Sequence, residues 1–517
     1  MILDHAHARP HELALDDLTR QRTWAELVER ATRLAHHLRG ELALGPDDHV
    51  AVLMGNRVEF VEIILGALMA GVWITPINWH LQADEITYIV RDSEARVLFT
   101  DDDLVDTARV AIGDGVDEAG TRAGSILPTI VTAGYEFDAR LATASCERVQ
   151  LDGPAGGTMI YTSGTTGRPK GVKRARPASL GAALESHAAS GRALGLDGAG
   201  THLVTGPLYH AAPLMFALYD MANGAPMVIM PRWTAEQTLE LIRDRSVAHT
   251  HLVPTMFVRL LRLPEAARTS FDPTPLRLVL HGAAPVGPEV KRQMIAWWGE
   301  KLVEYWGATE GGFCTLVDSR DWLANEGTVG RATPPFEVFA VADDGTRLPA
   351  GETGALYCRH RTLDRPFEYH CDPDKTAAAF LAPGTFTTGD VGFVDAGGYV
   401  YLSDRKSNMI ISGGVNIYPA EIEHVFQGHP AVADVAVFGI PDDEWGESVH
   451  AAIELEPGVA PGPDRADELL AFAREHLARY KIPRAIDFHD VLPRHPTGKL
   501  LVRLLREPFW KDRSRRI

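Results

Sequence analysis

The chain is poor in cysteine. Its four, Cys146, Cys314, Cys358 and Cys371, are spread over 517 residues without a C-x-x-C pair. That excludes a cysteine-paired zinc finger and a disulfide-stapled scaffold, and reduced thiols in a cytoplasm are the expectation. Long apolar runs are lacking too. The longest, IILGALMAGVWITPI, is broken by glycine and proline and is too short to span a bilayer, and the opening MILDHAHARPHE has neither the charged nor the apolar region of a signal peptide. A soluble protein is expected, neither secreted nor membrane-spanning. Positive charge is also in deficit: 51 Lys and Arg face 69 Asp and Glu, a net charge of -18. Such a balance repels nucleic acid and anionic lipid, so nucleic acid is not an expected partner. The exception is the short C-terminal stretch WKDRSRR. Peripheral membrane contact and a homodimer are compatible with this composition.

What is there is enough apolar material, 45% of residues, for several folding units. Short β-rich runs alternate with helical patterns: HVAVLMG, VEFVEIILGALMAG and VWITPIN early on, then LRLVLHGAAP, GPEVKRQMIAWWG and KLVEYWGATE. This alternation predicts an α/β fold, a large N-terminal domain of layered, mostly parallel sheets with helices, over residues 1–404. APMVIMP precedes TAEQTLELIRDRS, where Thr234 and Gln237 have the spacing of a capping box. Past Asp404 the character changes. YPAEIEHVFQ reads as a helix, DVAVFGIP and SVHAAIELEP as strands, and PGPDRAD as a linker into ELLAFAREHLARY, a small α+β unit over 405–517. GDGVDEAGTRAGS reads as a solvated loop.

One stretch fits neither helix nor strand interior. YTSGTTGRPKG, Tyr161 to Gly171, crowds hydroxyls and glycines ahead of Pro169 and Lys170. Bare glycine backbone approaches anions closely, Thr162, Ser163, Thr165 and Thr166 can donate to phosphate oxygens, and Lys170 adds a mobile charge. The nucleoside triphosphatase loop G-x-x-x-x-G-K-[ST] does not fit, because Pro169 stands where its second glycine belongs. A flexible connection is the plain alternative.

The wording of this stretch resembles the signature loop of the adenylate-forming superfamily, which comprises acyl-CoA synthetases, peptide-synthetase adenylation domains and luciferases. Further stretches resemble that family's motifs in order. They are LGALMAGVWITPIN (65–78), PLYHAAPL (207–214), HGAAP (281–285), EYWGATEGG (304–312), TTGDVG (387–392), SDRKSNMIISGGVNIYPAEIE (403–423) and PRHPTGKL (493–500). The resemblance implies ATP and coenzyme A as co-substrates, Mg2+ as the ion, and a small mobile C-terminal domain hinged near Ser407, where the family usually has Asp or Lys.

It also implies roles. Thr162, Ser163, Gly164, Thr165, Thr166, Gly167 and Lys170 cradle phosphates. Glu310 and Thr162 hold Mg2+, a hard cation that takes oxygen ligands. Gly282, Ala283 and Ala284 leave room for adenine or the acyl group, and Glu304, Tyr305, Trp306, Gly307 and Thr309 form the adenine side, with Trp306 stacking on the base. Asp390 and Arg405 take the ribose. Lys499 is the catalytic lysine, His210 orients the acid and gates the thiol channel, and Ser412, Gly413 and Gly414 face pantetheine. Without the family, Trp306 reads as core, Asp390 as a turn residue and Lys499 as a surface lysine.

The implied activity is conversion of a carboxylic acid to acyl-AMP and then acyl-CoA. PLYHAAPL offers no Asp to pair with an α-amine, which disfavours amino acids. Leu214, Met215, Phe216, Met256 and Phe257 suggest an apolar pocket for a fatty, aromatic or steroid side-chain acid, or plain core packing. A ligase loading a carrier protein, a luciferase-like oxygenase and a non-catalytic nucleotide-binding homologue are the alternatives. His249 and His251 are expected to be structural, without a partner cluster.

Overall fold

In the computed structural model the described residues are 2–113, 128–162, 169–284, 286–405, 408–412, 415–442, 445–494 and 500–511, with backbone alone for Asp404, Arg405 and Asn416. The loop expected at GDGVDEAGTRAGS lies almost wholly outside them. The described strands form sheets of fourteen, seven and five strands.

The seven-stranded sheet has a parallel body of Gly157–Thr162, Trp73–Pro76, His49–Leu53, Ala95–Thr100 and Thr129–Thr132. Every residue of His49–Leu53 is buried, the mark of a strand covered on both faces. The motif LGALMAGVWITPIN becomes the end of helix Val58–Ala70, a left-handed turn at Gly71 (φ 79°), and strand Trp73–Pro76. At its other edge the sheet ends in the antiparallel strands Lys170–Arg174 and Phe367–Tyr369.

The fourteen-stranded sheet is parallel through Leu13–Asp16, Met227–Ile229, Thr201–Val204, Val247–Leu252, Leu278–His281 and Leu302–Ala308. From Gly312–Asp318 onward it continues antiparallel through Thr328–Ala332, Tyr399–Arg405, Thr385–Val394, Gly354–His360 and Phe336–Val341. The switch follows from connection length: Leu302–Ala308 and Gly312–Asp318 are joined by a tight turn, which permits only antiparallel pairing.

Strand Val247–Leu252 is buried along its whole length although it carries His249, Thr250 and His251. Such groups need partners. His249 Nδ1 and His202 Nδ1 lie 2.7 and 3.0 Å from the same Oδ2 of the fully buried Asp220, whose other oxygen accepts from Gly198 N at 3.0 Å. Burial alone would raise the Asp220 pKa, but the hydrogen bonds from both histidines bring it down to about 2. His251 Nε2 is 3.1 Å from the Tyr305 hydroxyl. The expectation that these histidines lack partners is thus corrected; their partners come from a helix and a strand that periodicity does not place beside them.

Under strand Leu302–Ala308, Lys291 Nζ meets Glu304 Oε2 at 2.5 Å with the lysine fully buried. Burial lowers the lysine pKa and raises that of the glutamate, each opposed by the partner's charge.

The last strand of the large sheet ends at Arg405, and the five-stranded sheet begins at Ile410. Val415–Ile417, Ile410–Ser412, Gly446–Leu455 and Val432–Asp442 are antiparallel, and Ala485–His489 runs parallel to Gly446–Leu455. Helices Pro419–Gln427 and Pro463–His476 bury Ile422, Phe426, Leu469 and Ala473 against it. The second helix begins inside the expected linker PGPDRAD, because Pro463 at the first helical position has its φ preset and no N–H to leave unpaired. At Thr234 half of the expected capping box forms: its side chain accepts from Gln237 N.

Replacing Lys291 by Met should destabilise the protein by about 3–5 kcal/mol, since it strands a buried carboxylate, and adding Glu304→Leu should recover most of that loss. Urea unfolding of the three proteins checks this; a single mutant as stable as the parent contradicts it.

Candidate active site

The signature stretch is a hairpin. Strands Gly157–Thr162 and Lys170–Arg174 pair antiparallel, with Thr162 opposite Lys170. Both shoulders are held by one helix, Ala83–Asp92. The Tyr161 hydroxyl donates to Asp92 Oδ2 at 2.6 Å, and the Tyr88 hydroxyl donates to the Pro169 carbonyl at 3.1 Å. Ser163, Gly164, Thr165, Thr166 and Gly167 lie outside the described residues.

Lys170 points across its neighbour strand. Its Nζ stands 4.7 Å from the centre of the Tyr369 ring, and the Tyr369 hydroxyl donates to Glu310 Oε1 at 3.0 Å. Tyr369 belongs to the seven-stranded sheet and Glu310 to the turn between Leu302–Ala308 and Gly312–Asp318 of the fourteen-stranded one. Burial and the glutamate charge push the phenol pKa well up, so it stays a donor. Gly307 and Thr309 lie in the same turn region as Glu310; Gly307 sits so close to Gly312 that a Cβ would strike its carbonyl oxygen.

Asp390 is nearly buried and accepts from the Trp306 indole N–H at 2.9 Å through Oδ2. Trp306 is itself buried, 6% exposed, in a core with Val172, Cys314 and Phe386. The strand register sets Asp390 directly opposite Arg405, whose side chain is not among those described. Two residues before Asp390, the Thr388 hydroxyl is buried and makes no hydrogen bond among the described residues. An orphaned donor beside a carboxylate suits a ligand rich in hydroxyls and phosphate oxygens.

Gly282, Ala283 and Ala284 form the turn after strand Leu278–His281, with Ala283 in the left-handed region at φ 67°. A Cβ on Gly282 would lie 2.6 Å from the Tyr305 carbonyl oxygen and 2.8 Å from its ring, so the space beside this glycine is filled by Tyr305. Tyr305 meets the Phe216 ring edge-on at 5.0 Å. Burial lowers the pKa of His251 to about 3, leaving it a neutral partner for the Tyr305 hydroxyl. Glu304, on the opposite face of the strand, is committed to Lys291.

His210 caps helix Ala211–Asn223, its ring 4.6 Å from that of Tyr209. The loop before it is pinned by Asn56, which accepts from Leu208 N at 2.8 Å and donates to the carbonyls of Gly206 and Met230. The five apolar pocket candidates are spread over three clusters: Phe216 packs with Tyr305, Leu214 lies in the core between the two large sheets, Met215 packs against both of these, and Met256 and Phe257 join a third. Leu214 and Phe216 are two apart on a helix and therefore point to opposite sides. The acidic residue of this helix, Asp220, is taken up by His202 and His249. Ser412 ends a strand of the small sheet opposite Val415 and Gly446; Gly413, Gly414, Ser407 and Lys499 lie outside the described residues.

The residues that sequence reasoning missed are Tyr369, Asp92, Tyr88, Asn56 and Thr388. Tyr369 stands in RPFEYH, a run whose aromatic content signals a strand and nothing more. Trp306→Phe keeps an aromatic ring but removes the donor to Asp390. It should raise the KM for ATP about tenfold, in line with the roughly 1.5 kcal/mol of a hydrogen bond to a charged group. Steady-state kinetics at saturating acid checks this, and an unchanged KM contradicts it.

Comparison with known proteins agrees with this geometry. The family model of the AMP-binding enzymes matches residues 2–365, and that of the AMP-binding enzyme C-terminal domain matches residues 421–499. A fatty acid–acyl-carrier-protein ligase of Streptomyces coeruleorubidus is 33% identical over 99% of this chain and 96% of its own. A long-chain-fatty-acid–CoA ligase of Mycobacterium tuberculosis is 33% identical over 94% of this chain and 93% of its own. Among solved structures, ATP-bound MatB from Rhodopseudomonas palustris superposes with a TM-score of 0.82 at 28% identity, covering 98% of this chain and 97% of that one. No helix among the described residues is long and apolar enough to cross a membrane. The chain belongs to the AMP-binding enzymes, the adenylate-forming superfamily, and within it to the AMP-forming acid–thiol ligases.

Proposed function

We propose that the protein activates a hydrophobic carboxylic acid with Mg-ATP and passes the acyl group to the thiol of coenzyme A. The observation that carries this reading is the line Lys170, Tyr369, Glu310, which links a cation of the signature hairpin to a carboxylate of the other sheet through one tyrosine. The Trp306–Asp390 pair supports a ribose site in the same sheet.

In the first step a carboxylate oxygen attacks the α-phosphorus, the bond to the β-phosphate oxygen breaks, and acyl-AMP and pyrophosphate result. Lys170 offsets phosphate charge, Asp390 and Arg405 hold the ribose, and Lys499 reaches the site where negative charge builds. Glu310 fits Mg2+, because one of its oxygens takes the Tyr369 hydroxyl and the other makes no hydrogen bond among the described residues, and the Thr162 hydroxyl would be the second ligand. The ion, when bound with ATP, screens the phosphate charges. In the second step the thiol sulfur attacks the acyl carbon, its proton leaves to solvent, and AMP departs.

Residues 405–517 would serve both steps as a small domain turning about Ser407, exchanging Lys499 for the segment Ser412–Asn416 beside the thiol channel. The end of the large sheet at Arg405 and the start of the small one at Ile410 support a boundary there. Relatives named for fatty acids, 2-succinylbenzoate and ferulate support an apolar or aromatic acid. An amino acid lacks its counter-charge, since Asp220 is already engaged. The carrier-protein ligase among the relatives supports a second acceptor, a pantetheine thiol carried on a protein.

Pyrophosphate release from Mg-ATP should depend on the acid and rise strongly with CoA, with AMP and a thioester as products, across a panel of fatty, aromatic and steroid side-chain acids. Release that CoA leaves unchanged but a carrier protein raises would favour the second acceptor, and silence with both would refute the reading. Lys499→Ala should slow adenylation ~100–1,000-fold while thioester formation from preformed acyl-AMP stays near the parent rate. Equal loss in both half-reactions would overturn that division of labour.

A further inference from the structure

Beside the signature hairpin, but apart from the residues that face the nucleotide, three metal-ligating side chains converge. Glu94, His370 and Cys371 place one ligand atom each within 4.8 Å of one another. His370 Nε2 is 3.5 Å from Cys371 Sγ and 3.7 Å from Glu94 Oε2. Zinc bound at its usual ~2.3 Å from sulfur and ~2.0 Å from nitrogen, with tetrahedral angles, needs a sulfur–nitrogen edge of about 3.5 Å. The sulfur–nitrogen separation matches that edge, and the exposed Glu94 carboxylate stands within reach, 3.7 Å from the same nitrogen.

The ligands are held by the fold. Glu94 follows helix Ala83–Asp92 and Cys371 follows strand Phe367–Tyr369, and both adopt left-handed backbone, φ 53° each, which non-glycine residues seldom do. Between them His370 has only 6% of its side chain exposed, and its backbone N–H donates to the Gly171 carbonyl at 2.8 Å. Cys371 and Glu94 are exposed, so an ion can enter from solvent and water can take a remaining position.

We propose that Glu94, His370 and Cys371 form a site for a zinc-class divalent cation. Thiolate, imidazole and carboxylate together select a borderline-soft ion over the hard Mg2+ that accompanies ATP. On binding, the Cys371 thiol gives its proton to solvent and coordinates as thiolate. The ion joins the helix that holds both shoulders of the hairpin, through Tyr88 and Asp92, to the strand whose Tyr369 links Lys170 and Glu310. It therefore braces the frame of the nucleotide site from outside.

Cobalt(II) tests this on the full-length, reduced, chelator-treated protein, because thiolate ligation gives a charge-transfer band in the near ultraviolet. We expect one Co2+ per chain with that band, displaced by Zn2+ and unaffected by millimolar Mg2+. Cys371→Ser should abolish the band, His370→Ala should weaken binding at least about tenfold, and Cys146→Ser should leave it intact. Absence of the band in the parent protein, or its survival in Cys371→Ser, overturns the proposal. The parent titration decides the existence of the site even if a variant folds poorly, which melting of the metal-free proteins would reveal.

Discussion

The hydrogen bond from Tyr369 to Glu310 crosses between two sheets. On one side stand the signature hairpin and Lys170; on the other, Glu310, Trp306 and Asp390. A polyphosphate carrying several negative charges demands cations and donors from more than one direction, and no single sheet edge supplies them. The tyrosine fixes the distance between the two contributions, presenting its ring face to the ammonium and its hydroxyl to the carboxylate. Around it, each part is tied down locally: the hairpin by Tyr88 and Asp92, the Asp390 carboxylate by Trp306, the loop before His210 by Asn56.

Strong burial makes this frame stiff and also imposes conditions on it. The parallel strands are covered on both faces, so any polar residue they carry must be matched. His202 and His249 are matched by Asp220, His251 by Tyr305, and Glu304 by Lys291. Asp220, the acidic residue of helix Ala211–Asn223, is thereby engaged, and Tyr305 fills the space beside Gly282.

Much of this was legible in the sequence. The α/β alternation and the small C-terminal unit follow from periodicity; for YTSGTTGRPKG glycine and proline chemistry implies a loop, whereas its two ends, Tyr161–Thr162 and Lys170–Gly171, pair as strands. The antiparallel half of the large sheet did not, since strand runs without intervening helices leave order and direction open. Tyr369 was missed because no spacing links it to Lys170 or Glu310; almost two hundred residues of chain separate it from the first, and only strand pairing brings them together. For the same reason Glu94 could not be joined to His370 and Cys371. The sequence could not divide Leu214, Met215, Phe216, Met256 and Phe257 among their clusters, because hydrophobic residues near a motif do not reveal which side of a helix or loop each occupies.

A double-mutant cycle on ATP binding tests the bridge most directly. Calorimetric affinities for Mg-ATP would be compared among the parent, Tyr369→Phe, Glu310→Gln and the double mutant. If the two sheets are coupled through this bond, the double mutant should lose less affinity than the sum of the single losses, with a coupling of about 1 kcal/mol or more. Strict additivity would mean that Tyr369 and Glu310 act on the nucleotide separately, and the bridge would lose its place at the centre of the site.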